Sequence, residues 1–185
     1  MYVVDNGSLT IEQYNLTTAW DTSTLVHDDN FTISDENQLR SLAFKYDGTK
    51  MYVTGNETEV IQQFTLSTPW DVTSATKDST ESSALTGKED NPRSIQFNSD
   101  GTALYIAGDT NARMNKYTLS TAYDITTLSS TFSTFDLGSR VNDMRGFIFA
   151  ANFTKLFVTS DKETAATTDK IHAVSYTHLT LPTKA

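Results

Sequence analysis

The stretch Arg40-Ser41-Leu42-Ala43-Phe44-Lys45-Tyr46-Asp47-Gly48-Thr49-Lys50-Met51-Tyr52-Val53-Thr54-Gly55 decides the fold. Leu42, Phe44 and Tyr46 alternate with Ser41, Ala43 and Lys45, which is the two-residue period of a pleated strand. A second apolar run begins at Met51 and is rich in the residue types that favour strands. Between the two lies Asp47-Gly48-Thr49. Asp-Gly is a favoured tight-hairpin pair, because Gly accepts positive φ without penalty and Asp tolerates it.

Working outward, the same text returns along the chain. Arg93-Ser94-Ile95-Gln96-Phe97 and Arg145-Gly146-Phe147-Ile148-Phe149 repeat the first strand. Met1-Tyr2-Val3-Val4, Met51-Tyr52-Val53-Thr54, Leu104-Tyr105-Ile106-Ala107 and Leu156-Phe157-Val158-Thr159 repeat the second, at offsets of 50, 53 and 52 residues. A third block keeps the same phase: Tyr14 to Asp21, Phe64 to Asp71 and Tyr117 to Asp124, each with an aromatic just before its final Asp. Asp100-Gly101-Thr102 repeats the hairpin, whereas Ala151-Asn152-Phe153-Thr154 replaces it in the last copy, where a looser hairpin is expected. No stretch carries a capped 3.6-residue period, so almost no helix is expected.

Each period then holds about four antiparallel strands, A to D from the inside out. In the second copy these are 40–46, 50–55, 60–67 and a weak segment at 76–84. Four-stranded units of ~40–50 residues are the signature of propeller blades, which stack face to face because one blade cannot bury both faces of its sheet. The alternating apolar residues of A, B and C are expected to form the layers between blades. A parallel β-helix has shorter turns and no Asp-Gly hairpins. The expected fold is therefore all-β, a partial β-propeller of about three and a half blades that does not close. Its units are 1–37 (strands B, C and D), 38–90, 91–139 and 140–173 (strands A, B and C).

On Pro92-Arg93-Ser94-Ile95-Gln96-Phe97, Ser99-Asp100-Gly101-Thr102 and Tyr52-Val53-Thr54-Gly55, the chain resembles the YVTN-type, lactonase-like repeats of seven-bladed, WD40-like β-propellers. The resemblance covers residues 1 to about 172. It implies a fold, not an activity, because such propellers serve as enzymes, binders and scaffolds. Met1 falls inside a strand B, and residues 174–185 leave the repeat and resemble one translated frame of a sequencing adaptor. That tail is expected to be non-native, and the rest a fragment whose remaining blades lie elsewhere in a longer protein.

Composition excludes several functions. The chain has 185 residues, a formal net charge of −9 and no Cys, with 31 Thr and 18 Ser. Without Cys there is no disulfide framework, thiol nucleophile or zinc–thiolate site. An acidic chain lacks the basic face that nucleic acid needs, and no apolar run approaches the ~20 residues of a membrane span. A secreted, cell-surface or phage-associated setting is expected for this Thr-rich acidic surface.

In a propeller the D–A and B–C loops share one end, the mouth of the central channel. There Asn37, Asp90, Asn91, Asn142 and Asp143 could supply oxygen ligands to a hard cation such as Ca²⁺, which in a lactonase-like enzyme would polarise an ester carbonyl. The competing reading has these residues capping turns, with the recurring Arg40, Arg93 and Arg145 pairing with neighbouring loop carboxylates. At the opposite end Trp20, Trp70 and Tyr123 could stack on sugar rings, or plug gaps between blades while Asp21, Asp71 and Asp124 cap the turns. His27 and His172 occupy no equivalent positions, and no Ser sits in a G-x-S-x-G context. No catalytic residue and no resident cofactor is expected. The primary reading is a non-catalytic module for protein or carbohydrate binding, and the alternative a fragment of a lactonase-like hydrolase.

Overall fold

The structure is a computed structural model describing residues 1–56, 58–79, 85, 89, 91–108, 113–137, 141, 144–150, 153–160 and 170–175. It is all-β, a partial β-propeller built from four antiparallel sheets. The first sheet is β1 (Tyr2–Asp5), β2 (Thr10–Leu16) and β3 (Leu25–Thr32). The second is β4 (Leu39–Phe44), β5 (Lys50–Gly55), β6 (Ile61–Leu66) and β7 (Ala75–Lys77). The third is β8 (Pro92–Phe97), β9 (Ala103–Gly108), β10 (Arg113–Leu119) and β11 (Leu128–Asp136). The fourth is β12 (Met144–Phe149), β13 (Lys155–Ser160) and β14 (Lys170–Ser175). Each strand pairs with its sequence neighbours in a meander. Single 3-10 turns lie at Thr22–Thr24, Val72–Ser74 and Ile125–Thr127. None is long and apolar enough to cross a membrane.

The chain divides into two compact units, Met1–Ala84 and Leu85–Ala185. In the first, Met51 and Val53 of β5 pack with Ile11, Ile33, Leu39 and Phe64, joining the first two sheets. Polar ties reinforce that layer: Val72 N donates to Gln13 Oε1 at 3.1 Å, and Tyr2 Oη donates to the Trp70 carbonyl at 2.5 Å. In the second unit, Tyr105 and Ala107 of β9 pack with Met144, Phe149, Leu156 and Val158. There Phe149 N donates to Gln96 Oε1 at 3.1 Å.

Several expectations are corrected. Two of the B strands do not alternate, since all six residues of β9 and five of six in β5 are buried, whereas β13 does, with Leu156, Val158 and Ser160 buried between more open neighbours. A strand whose two faces are both covered loses its alternation, as strands of doubly covered sheets do. The Asp-Gly turns are not two-residue hairpins. Gly48 N donates to Lys45 O and Lys45 N to Lys50 O, so the loop spans four residues, and only Gly48 (φ +73°) takes positive φ. Asp47 instead accepts from Thr49 N and Oγ1, and Asp100 does the same for Thr102. The last hairpin is not looser. Ala150 N donates to Lys155 O and Phe153 N to Ala150 O, with Phe153 itself at φ +53° in the glycine's place. In the second sheet strand D covers only Ala75–Lys77, and residues 80–84 of its expected span lie outside the described residues. At the other end β14 pairs Val174 with Leu156 and Ser175 with Lys155. Pairing thus runs two residues into the segment where the repeat text stops.

Candidate functional site

The end of the blades formed by D–A and B–C loops is organised by two carboxylates. Glu36 is buried, and its Oε1 accepts from Asn37 N at 3.0 Å and Gln38 N at 3.1 Å. Its Oε2 reaches across to the B–C loop and accepts from Thr58 N at 3.2 Å and Thr58 Oγ1 at 2.9 Å. One side chain therefore satisfies backbone donors from both loops, with Asn56 N donating to Gln38 O as a further clasp. The carboxylate lies against Gly55, where a Cβ would overlap it. In the third sheet Glu89 is buried in the same way, accepts from Asn91 N and lies against Gly108. Burial first, and then the Glu89 charge, push the Tyr117 phenol up to about 12. The fourth copy has Val141 at this place, buried in the core, and Ser160 where the glycine stood. Where no carboxylate needs room, no glycine is kept.

Glu36 and Glu89 are not among the candidates that the sequence singles out. The signal was present, since each lies four positions before a repeat arginine and pairs with an in-phase glycine. Of the proposed cation ligands, Asn37 and Asn91 contribute backbone N–H groups to these carboxylates. Asp90, Asn142 and Asp143 lie outside the described residues. Among the described residues no three His, Asp or Glu side chains come together, and the Glu36 oxygens face the donors of their own loops. Arg40 donates from Nη2 to Gln38 Oε1 at 2.9 Å, bracing the loop that Glu36 holds. Arg93 is half-buried in β8, and Arg145 is exposed in β12.

At the opposite end two of the three aromatics, Trp70 and Tyr123, are seated on a glycine of their own blade. Trp70 (φ +69°) donates its N–H to Gly48 O at 3.0 Å, and its ring lies over that glycine. Tyr123 (φ +60°) does the same over Gly101, at 2.9 Å. Tyr123 is 5% exposed, and its hydroxyl donates to Ser99 O at 3.0 Å, so it presents no face to a sugar. These rings sit on their own blade's A–B turn. Phe44 and Phe97 flank them at centroid distances of 5.4 and 5.2 Å. Asp21, Asp71 and Asp124 cap the 3-10 turns that follow, as the sequence predicts. Trp20 alone of the three is open, at 95% exposure. His27 also has a partner the sequence did not suggest, Glu12 across the β2–β3 pair at 2.7 Å, at the outer edge of its sheet. The His172 side chain lies outside the described residues.

Solved structures share the arrangement of these sheets. A candidate 6-phosphogluconolactonase from Bacteroides fragilis superposes with a TM-score of 0.58 at 19% identity, over 95% of this chain and 52% of its own. A second, from Bacteroides uniformis, gives 0.58 at 13% identity, over 90% and 47%. A nidogen/laminin complex gives 0.60 at 15% identity, over 91% and 55%. The fold is that of β-propellers, candidate lactonases among them. The chain spans about half the length of these structures. The sequence matches no protein-family model and no curated protein.

Proposed function

We propose that these blades serve a non-catalytic role, binding or scaffolding a protein or carbohydrate partner as part of a propeller in a secreted, cell-surface or phage-associated setting. The observation that carries this reading is the fate of the loop-end carboxylates. Glu36 is fully engaged by three backbone N–H groups and a hydroxyl. A general base or metal ligand needs a lone pair directed at substrate or cation, and a buried carboxylate saturated from its own loops has none to give. The net charge of −9 further favours partners other than nucleic acid.

The likeness to candidate 6-phosphogluconolactonases supports a second reading, a piece of a lactonase-like hydrolase whose cation site draws on Asp90, Asn142 and Asp143 with Asn37 and Asn91. Calcium and manganese titrations to millimolar concentration, followed by melting temperature, separate the two. Unchanged melting, together with saturable binding on a glycan or protein array, supports the binding module. A metal-dependent rise in melting temperature accompanied by hydrolysis of a sugar δ-lactone in a pH-stat overturns it.

A further inference from the structure

Asn6-Gly7 is the one Asn-Gly pair in the sequence, and it lies in the loop between β1 and β2. As text it reads as a two-residue hairpin, a turn that needs positive φ at both central positions. The structure gives that conformation to neither residue, and in this loop it falls on Leu9, at φ +59°. A Cβ built on Gly7 would meet only the tip of the Asp5 side chain, at 3.2 Å. The turn therefore does not require a glycine at position 7, in contrast to Gly48 and Gly101, which combine positive φ with a ring against them.

An Asn followed by a residue without a Cβ has a chemistry of its own. The amide nitrogen of the glycine, once deprotonated, can attack the side-chain carbonyl carbon of the Asn, because no side chain blocks its approach. In this loop Gly7 N donates to Asp5 Oδ1 at 2.7 Å, and Ser8 N donates to the same oxygen at 3.3 Å. The Gly7 hydrogen bond, first among several, holds the Asp5 carboxyl below the usual carboxylate range. A carboxylate facing the N–H opposes loss of its proton, since a second negative charge would form beside the first. The chain has two related pairs, Asp47-Gly48 and Asp100-Gly101, and there the main chain holds the glycine. Gly48 N donates to Lys45 O at 2.9 Å and Gly101 N to Asn98 O at 3.2 Å, while each Asp accepts from a threonine. At Asn6-Gly7 the restraint is one side-chain carboxylate.

We propose that Asn6-Gly7 is a self-modification site, at which Asn6 deamidates in the folded chain, and that the Asp5 hydrogen bond to Gly7 sets the rate. In the step the bond from Gly7 N to Asn6 Cγ forms and the Cγ–Nδ2 bond breaks. Ammonia leaves, carrying the proton that Gly7 gives up. Water then opens the cyclic imide, at the side-chain carbonyl to give aspartate or at the main-chain carbonyl to give isoaspartate, whose backbone is longer by a methylene. Either product places a new carboxylate beside Asp5 in a B–C loop, and isoaspartate also lengthens the turn that closes the Asp5–Thr10 pair. The contacts that set the rate lie within residues 5–8, and the chemistry is independent of the binding role proposed above.

The test incubates the full chain at neutral pH below its melting transition and follows the tryptic fragment 1–40 by mass spectrometry. The amide-to-acid mass gain reports conversion, and electron-transfer fragmentation separates aspartate from isoaspartate. The expected result is conversion at Asn6 ahead of Asn15, Asn30 and Asn37, slower in the folded chain than in guanidinium chloride. Asp5→Ala should raise the folded-state rate at Asn6 about three- to tenfold, the worth of one hydrogen bond, and the two chains should convert alike in denaturant. Gly7→Ala should keep the melting temperature and abolish the conversion. A folded-state rate equal to the denatured one, an unchanged rate in Asp5→Ala, persistent conversion in Gly7→Ala, or first conversion at another Asn each overturns the proposal. A rise in Asp5→Ala that spreads over Asn15, Asn30 and Asn37 would mean general unfolding and would overturn it as well.

Discussion

Gly101→Ala tests whether the aromatic seat holds each blade's two turns together. Gly101 sits at φ +75°, where an L-residue costs roughly 1–2 kcal/mol. A Cβ there would lie 2.5 Å from Tyr123 Cγ and closer still to two further ring carbons. The ring cannot easily yield, because it is 5% exposed, packs on Phe97 and is held by hydrogen bonds at both its N–H and its hydroxyl. Overpacking of this kind adds about 1–3 kcal/mol. The expected loss is therefore about 2–5 kcal/mol from the two terms, read from urea denaturation by far-ultraviolet circular dichroism. Repeating the substitution in a Tyr123→Ala background removes the ring while leaving an L-residue at position 123. There the cost should fall to the backbone term of about 1–2 kcal/mol. Gly48→Ala should cost less than Gly101→Ala, because Trp70 is 42% exposed and can swing aside. Equal costs for Gly101→Ala with and without the ring would refute the reasoning.

Four further outcomes follow from particular contacts. Glu36→Gln turns an amide NH₂ toward the Thr58 or Asn37–Gln38 donors and should cost about 1–3 kcal/mol, with faster hydrogen exchange at Gln38 and Thr58. Tyr117→Phe should leave stability at neutral pH unchanged or raise it by about 1 kcal/mol, because the buried hydroxyl has no partner among the described residues. The folded phenol is raised to about 12, so the wild type keeps this contribution below the ordinary phenol range and loses it as pH climbs through 12; Tyr117→Phe should flatten that alkaline loss in pH-dependent denaturation. Asp47 is lowered to about 2, first by the Lys45 ammonium and then by the Thr49 hydroxyl. Its stabilisation is present above the ordinary carboxylate range and lost as pH falls through 2, so the gap between wild type and Asp47→Asn should close between about pH 4 and 2. Asp124→Ala removes the acceptor for Thr126 N and Oγ1 and should cost about 1 kcal/mol, with Asp124→Asn costing less.

The blade repeat was legible because a propeller writes its fold in local text. Strand alternation at Leu42 and Phe44, the Asp-Gly turns and the capping aspartates are each determined by residues within a few positions of one another. The recurrence of those blocks about every 50 residues determined the all-β, bladed architecture. Burial was the part that local text did not carry. Tyr52 and Tyr105 read as one face of an alternating strand, yet residues on both faces of β5 and β9 are buried.

The same distinction governs the two ends of the blades. Asn37, Asp90 and Asn91 drew attention as oxygen-rich residues in a turn, whereas the organising groups are Glu36 and Glu89, whose role depends on a glycine 19 positions later leaving room beside them. The sequence alone determined that Trp20, Trp70 and Tyr123 occupy one structural position. Only the tertiary structure decided that Trp70 and Tyr123 are packing residues and that Trp20 is open, because a ring is buried by whatever glycine is folded against it. Local pattern specifies a conformation; contact between segments distant in sequence specifies whether its surface is covered.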